Sequence, residues 1–223
     1  MLLQLENIFK WVQSGGSRVF LLKDVSITIK EGEFISIMGP SGSGKTTLLN
    51  VLGMLDDFNE GSYHFMEKSV HSLKERHRIN LYKEHIGFVF QAYHLMDDLT
   101  VYENIEMPLL FKKYSSSERK ALVGDMLDHF NIVGKKNLFP TQLSGGQQQI
   151  VGIARALISK PKLILADEPT GNLNSKQGEE IMQIFKKLNE DGVTVVQVTH
   201  SENNAKYGSR TIELLDGLIV KEY

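Results

Sequence analysis

Apolar and polar residues alternate along two stretches near the start of the chain, Leu3–Ile8 and Val25–Ile29, with the turn-forming run Ser14–Ser17 between them. A period of two is typical of a strand that buries one face. The pattern therefore predicts an N-terminal antiparallel sheet. A further short strand is predicted over Gly61–Met66.

Short, mainly apolar runs predict further strands. These runs are Phe34–Met38, Ile86–Phe90, Lys162–Asp167 and Val193–Thr199. A helix predicted over Lys176–Asn189 separates the last two, and a strand–helix–strand succession favours a parallel sheet with a right-handed crossover. Near the C-terminus, Asp216-Gly217 within Thr211–Val220 predicts a hairpin with a two-residue turn.

Between residues 92 and 160 the apolar residues recur at intervals of three and four, which is typical of amphipathic helices. Helices are predicted over Val101–Pro108, Ser116–Asn131 and Gly146–Ser159, and Thr46–Gly53 also has helix-forming character. We expect Ser116 or Ser117 to cap the second of these helices. Residues 1–223 then form a single α/β domain with a mostly parallel sheet, an N-terminal antiparallel β subdomain and an inserted helical subdomain at about residues 92–160.

Composition removes several classes of function. The chain has 25 basic and 27 acidic residues, a net charge of −2, so it offers no strong positive field and nucleic acid is not expected as its partner. It has no cysteine, which excludes disulfides and thiol chemistry. No apolar run approaches the length of a membrane span, and the first residues do not have the pattern of a signal peptide. We therefore expect a soluble chain in the cytosol.

A glycine-rich segment matches the phosphate-binding pattern G-x-x-x-x-G-K-[ST] at the predicted strand-to-helix turn. The binding residues predicted from it are Gly39, Pro40, Ser41, Gly42, Ser43, Gly44, Lys45, Thr46 and Thr47. Glycines allow backbone N–H groups to point at phosphate oxygens, and the start of the helix adds partial positive charge. Lys45 should reach the β- and γ-phosphates, and the Thr46 hydroxyl should hold Mg²⁺. The segment predicts a P-loop NTPase core.

The apolar strand from Leu163 ends in two adjacent carboxylates, Asp167 and Glu168. Ligands of open α/β sheets collect at such strand ends, and adjacent strand residues face opposite ways. We expect Asp167 to hold Mg²⁺ and Glu168 to act as the general base that polarises the attacking water. A second glycine-rich helix start, Ser144-Gly145-Gly146, forms another anion-binding turn.

Together these motifs identify the chain as a member of the ATP-binding cassette proteins, because Leu143–Gln149 resembles their signature motif. The resemblance implies that two copies sandwich two ATP molecules, each held by the phosphate loop of one copy and by Ser144, Gly145 and Gly146 of the other. It also implies that Gln91 senses Mg²⁺ and the γ-phosphate, and that His200 contacts the γ-phosphate and orients the water. Pro169–Ser175 would couple the two sites.

Three positions depart from the family pattern. Asn174 stands where the family usually has aspartate, which puts the strength of coupling between the sites in question, and Ile150 replaces a common arginine. Ungapped comparison places Val12 at the position of the aromatic residue that stacks on adenine, so we expect the adjacent Trp11 to take this role only after a small register shift.

Within the family, the stretches Ile86–Leu95, Leu99–Ile105 and Ala166–Leu173 look like those of macrolide-export and lipoprotein-release ATPases. This resemblance implies an ATPase that powers a separate transmembrane permease, as an exporter or by mechanical transmission, from the cytoplasmic face of the inner membrane. The alternative is an ATPase that regulates a membrane partner in cell-wall or sensory signalling. A groove near Gln91–Leu95 and Tyr102 would receive a helix of the partner.

Overall fold

The computed structural model describes residues 1–223. Its strands are β1 (Leu3–Ser14), β2 (Ser17–Ile29), β3 (Phe34–Met38), β4 (Glu60–Phe65), β5 (Lys68–Ser69), β6 (Ile86–Phe90), β7 (Leu163–Asp167), β8 (Thr194–Val198), β9 (Arg210–Leu215) and β10 (Leu218–Glu222). Its helices are α1 (Lys45–Leu52), α2 (Glu75–His85), α3 (Val101–Glu106), α4 (Ser116–His129), α5 (Gly145–Leu157), α6 (Ser175–Glu190) and α7 (Glu202–Ala205).

Two sheets form the frame of the molecule. The antiparallel sheet has the order β2-β1-β4-β5, and the larger sheet has the order β10-β9-β3-β8-β7-β6, in which only β10 is antiparallel to its neighbour. The α/β fold class is thus confirmed. Strands β1 and β2 are longer than predicted, because their alternation continues through bulges up to the turn at Gly15-Gly16.

Because β3, β7 and β8 are parallel, their carboxyl ends lie side by side at the same end of the sheet. Each of these strands is buried over most of its length, as expected for strands covered on both faces. The predicted turn at Asp216-Gly217 joins β9 to β10, and both of its residues have positive φ, as a two-residue type I′ hairpin requires.

Helices α3, α4 and α5 lie between β6 and β7 and enclose an apolar cluster that includes Val101, Leu127 and Val151. We therefore propose that residues 92–160 form a helical subdomain. Ile150, which replaces the arginine, is partly buried and packs against both this cluster and the cluster under the sheet. No helix of the chain has both the length and the apolar character needed to cross a membrane.

Three helical features differ from the prediction. The N-cap of α4 is Ser115, which accepts a hydrogen bond from the N–H of Glu118, so the prediction of Ser116 or Ser117 was wrong. Helix α2 was missed because its residues are mostly polar and only Leu81 is buried, which leaves no apolar stripe to recognise. The short helix α7 was also missed.

Candidate functional site

The phosphate loop connects β3 to α1, and its glycines are required by their surroundings. Gly39 and Gly44 have φ of 150° and 100°, in the region that favours glycine. A Cβ on Gly39 would lie 2.1 Å from the carbonyl oxygen of Leu214, and one on Gly44 would lie 2.5 Å from that of Leu21. Larger residues at these two positions would therefore push the loop off the sheet.

The loop presents a set of hydrogen-bond donors that have no acceptor in the chain. The backbone N–H groups of Ser41, Gly42 and Gly44 make no hydrogen bond within the protein. The hydroxyl of Ser43 is buried and also has no partner. Unpaired donors that converge at a helix start are the arrangement that binds phosphate. Lys45 Nζ donates to the carbonyl oxygens of Gly39 and Pro40, at 2.8 Å each, which holds its charge over the loop.

Thr46 and Asp167 face each other across the end of the parallel sheet. Thr46 Oγ1 lies 3.5 Å from Asp167 Oδ1. Burial raises the pKa of the Asp167 carboxyl, and the hydrogen bond from Thr46 lowers it in part. Because burial disfavours the ionised carboxylate, a cation beside it would be bound favourably. This pair of oxygens fits Mg²⁺, which needs only one or two protein ligands when phosphates supply the others.

Glu168 lies directly after β7, in a left-handed backbone conformation, and its carboxylate contacts His200. Its backbone has a φ of 46°, a left-handed conformation that is costly for a residue with a Cβ and is found preferentially at functional sites. Its Oε2 lies 2.9 Å from Nδ1 of His200, and the Glu168 side chain is 17% exposed whereas that of His200 is 72% exposed. The contact orients the carboxylate and leaves the other edge of the imidazole open to solvent.

These groups line one cleft of about 490 Å³, except for the predicted binding residue Ser43, which is buried beneath the loop and does not line it. Its lining residues are Leu21, Gly39, Pro40, Ser41, Gly42, Gly44, Lys45, Thr46, Thr47, Asp167, Glu168, Val198 and His200. The structure thus brings the phosphate loop together with both acids and the histidine. Leu21 and Val198 were not anticipated, because apolar residues inside strands carry no sequence signal of a binding role.

The signature residues Ser144, Gly145 and Gly146 do not line this cleft. Ser144 caps α5 in a reciprocal arrangement: its Oγ accepts from the N–H of Gln147, and its own N–H donates to Gln147 Oε1. The N–H groups of Gly145 and Gly146 have no acceptor in the chain. The helix start is therefore open to an anion, but not to one bound in the chain's own cleft.

Gln91 also lies outside the cleft in this conformation. It follows β6, and its Nε2 donates to Asn172 Oδ1 at 3.3 Å while Asn172 Nδ2 donates to the Gln91 carbonyl oxygen at 2.9 Å. The next residues, Tyr93 and His94, both have positive φ, and Arg155 donates to both of their carbonyl oxygens. Gln91 is thus joined to the loop that follows Glu168, and its role as a ligand stays a prediction.

Trp11 does not line the cleft either. Its ring packs against Phe20, with centroids 5.6 Å apart, and the guanidinium of Arg18 lies 4.6 Å from the ring centroid. Trp11 and Val12 are neighbours on β1, so their side chains point to opposite faces of the sheet. Adenine stacking by Trp11 stays a prediction and requires the ring to leave both of these contacts.

Comparison with known proteins reveals close similarity along the full chain. The profile of the family described as "ABC transporter" matches residues 22–171. The uncharacterized ABC transporter ATP-binding protein MJ1508 of Methanocaldococcus jannaschii is 43% identical over 220 residues, which cover 99% of this chain and 98% of that protein. The macrolide export ATP-binding/permease protein MacB of a Shewanella species is 42% identical over 221 residues, 99% of this chain but only 34% of MacB.

Among solved structures, the ATP-binding cassette MJ0796 resembles this chain with a TM-score of 0.92 and 46% identity, covering 100% of this chain and 98% of that one. That structure is a dimer in a post-hydrolysis state, bound to ADP and Pi.

Proposed function

Because this chain belongs to the ABC transporter family and is an ATP-binding ATPase of that family, we propose that two copies close head to tail around two ATP molecules. Each ATP is held by the phosphate loop of one copy and by Ser144, Gly145 and Gly146 of the other. One observation carries the proposal: the chain has two sets of open N–H donors, and only one of them lines its own cleft. The dimeric structure of the similar cassette MJ0796 supports this arrangement.

We propose that Thr46 and Asp167 hold Mg²⁺ in the closed state and that Gln91 joins them through its free side-chain oxygen. When bound, Mg²⁺ supplies positive charge that offsets the charge of the β- and γ-phosphates. The Asp167 carboxyl is suited to this role because its Oδ1 lies 3.5 Å from Thr46 Oγ1, so that one cation can contact both oxygens.

In the proposed reaction, Glu168 takes a proton from a water molecule whose oxygen attacks the γ-phosphorus. The bond from that phosphorus to the bridging oxygen breaks, and ADP and phosphate are formed. The open N–H groups of the loop stabilise charge on the phosphate oxygens without having to reorganise, and Lys45 Nζ exchanges the carbonyl oxygens of Gly39 and Pro40 for phosphate oxygens. His200 positions Glu168 through the 2.9 Å contact and turns its open edge towards the γ-phosphate.

Replacing Ser144 with arginine tests the head-to-tail arrangement. Because Ser144 lies outside the chain's own cleft, we expect the monomer to bind ATP with unchanged affinity, while ATP-dependent dimerisation is weakened. Loss of a hydrogen bond to a charged group costs about 1.5–3 kcal/mol, or roughly 10- to 100-fold in affinity. Dimerisation is measured by sedimentation velocity in a Glu168→Gln background, and monomer affinity with a fluorescent ATP analogue.

Ser115→Arg is the matched control, because Ser115 caps α4 through the same reciprocal hydrogen bonds that Ser144 makes at α5. This variant loses a helix cap but should keep full ATP-dependent dimerisation. If Ser144→Arg dimerises as well as the control, or if it binds ATP more weakly as a monomer, the proposed arrangement is wrong.

We also propose that closure acts on a separate membrane permease, with this chain peripheral to the cytoplasmic face of the membrane and the assembly working as an exporter or by mechanical transmission. An apolar groove of about 270 Å³ offers the docking surface. It is lined by Tyr82, Lys83, Ile86, Gly87, Phe88, Phe90, Met107, Pro108, Phe111, Arg155, Ala156 and Ser159. We propose this groove in place of the one expected at Gln91–Leu95 and Tyr102, because Leu95 and Tyr102 pack against the apolar cluster of the helical insert.

Phe111→Asp tests the docking surface. The Phe111 side chain is 69% exposed beside the groove, so a charge there should leave the fold and basal ATPase rate unchanged while preventing binding to a partner helix. We expect binding to inverted membrane vesicles from the native host, stripped of peripheral proteins, to fall about tenfold, as for loss of one buried aromatic anchor. Val220→Asp on β10, at the opposite edge of the sheet from β6, is the control. Equal vesicle binding by both variants would rule the groove out.

A further inference from the structure

Two amide side chains form a reciprocal pair at the start of α6. Asn174 is the N-cap, and its Oδ1 accepts from the backbone N–H of Gln177 at 3.0 Å. Its Nδ2 donates to Gln177 Oε1 at 2.9 Å. A backbone N–H can bond only to an acceptor, so the Asn174 oxygen must face Gln177 N. That constraint then orients the Gln177 amide, because Asn174 Nδ2 needs an oxygen opposite it.

The side chain of Gln177 lies against the signature turn, which is formed by Ser144, Gly145 and Gly146. A Cβ on Gly146 would lie 3.0 Å from Gln177 Nε2 and 3.1 Å from its Cδ. Since Oε1 is engaged by Asn174, the NH₂ group of Gln177 is the part of the amide that faces Gly146. This NH₂ group makes no hydrogen bond within the chain.

The pair therefore joins the loop Pro169–Ser175 to the start of α5 within one chain. It places a further donor where a Cβ of Gly146 would lie, on the residue whose own N–H group has no acceptor. An amide turned the other way would direct a carbonyl oxygen at the same place, where it would repel an anion. Whether the donor or the acceptor edge faces Gly146 thus depends on the residue at position 174.

We propose that Gln177 is a positioning residue for ATP-dependent closure, and that Asn174 is the group that keeps its donor edge beside Gly146. The inference rests on the proposed head-to-tail function of Ser144, Gly145 and Gly146. An aspartate at position 174 has no donor, so the Gln177 amide would rotate to place Nε2 against the carboxylate and Oε1 against Gly146. Asn174 then sets the charge distribution at the signature turn. Its effect is more than the loss of the negative charge that an aspartate would bring to this position.

The decisive variant is Asn174→Asp in a Glu168→Gln background. Aspartate caps helices as well as asparagine does, so the thermal midpoint without nucleotide should not change. We expect the dissociation constant of the ATP-bound dimer, measured by sedimentation velocity, to rise about tenfold, because the variant both adds a negative charge and reverses the amide. The affinity of the monomer for a fluorescent ATP analogue should stay the same.

A double-mutant cycle separates reversal of the amide from the added charge. Gln177→Leu alone should weaken the dimer about fivefold through loss of the donor. In the Gln177→Leu background no amide is left to rotate, so Asn174→Asp should cost clearly less than it does when Gln177 is present. Gln183→Leu on the same helix, whose partners are Glu179 and Tyr207, should dimerise normally.

Two outcomes would overturn the inference: additive effects in the cycle, or variants at 174 and 177 that dimerise like the Glu168→Gln parent. If Ser144→Arg abolishes the dimer in the same assay, the proposed function stands and only the role of Gln177 is lost. If Ser144→Arg also leaves the dimer intact, the head-to-tail arrangement itself is wrong, and the positioning role falls with it.

Discussion

Lys45→Ala is expected to abolish ATP binding by the isolated chain. Lys45 carries the one cationic side chain of the phosphate loop, and it is the only lysine or arginine among the residues that line the cleft. Each charged hydrogen bond to a phosphate contributes about 1.5–3 kcal/mol, so losing contacts to two phosphates should weaken binding by 100-fold or more, on the order of 3–6 kcal/mol.

Thermal unfolding provides the measurement. With ATP at about 100 times its dissociation constant, the wild-type chain should gain roughly 2.7 kcal/mol of stability, or about 5–10 °C in melting temperature. The Lys45→Ala variant should show no ATP-dependent shift. Its melting temperature without ATP should fall slightly, because the hydrogen bonds to the carbonyl oxygens of Gly39 and Pro40 are lost. Lys186→Ala, at an exposed ion pair on α6, is the control and should retain the full shift. If Lys45→Ala also shows the full shift, Lys45 does not bind ATP.

Glu168→Gln is expected to bind ATP normally, to lose hydrolysis and to accumulate as an ATP-bound dimer. The substitution keeps the shape of the side chain and so its 2.9 Å contact with His200 Nδ1, and the site should not rearrange. What it removes is a carboxylate able to accept a proton from the attacking water. Loss of a general base typically costs roughly 100- to 10,000-fold in rate.

Phosphate release in a single turnover measures the rate, and size-exclusion chromatography with ATP measures the dimer. Glu190→Gln, at the exposed C-terminal end of α6, should match the wild type in both assays. Wild-type turnover by the Glu168→Gln variant would show that another group activates the water. A variant that is inactive and never forms a dimer would also contradict the prediction, because loss of closure would then account for the loss of hydrolysis.

The strongest predictions from sequence concerned segments whose chemistry is local. The phosphate loop occupies consecutive positions between a buried strand and a helix, so its spacing alone predicts the cradle that the structure contains. Asp167 and Glu168 were recognisable because an apolar run ends abruptly in two carboxylates. Helix α2 was not predicted, because a helix that buries only Leu81 has almost no periodic pattern of apolar residues.

Contacts between residues that are far apart in the chain could not be predicted from local sequence patterns. His200 was assigned to the site by family resemblance, but its 2.9 Å contact with Glu168 follows from the parallel pairing of β7 with β8. The position of Trp11 against Phe20 and Arg18 follows from the pairing of β1 with β2. The sequence predicts that these strands pair, but it does not give the register that decides which side chains meet.

The sequence by itself determined the chemical groups of this ATPase: the glycines, the lysine, the paired carboxylates and the capped, glycine-rich start of α5. It could do so because each of these groups depends on the backbone conformation of a few adjacent residues. Only the tertiary structure decided that Ser144 lies outside its own chain's cleft and that the Gln177 amide turns its donor edge towards Gly146. Both facts depend on how α5 and α6 pack after the chain has folded, and packing joins residues that no local pattern connects.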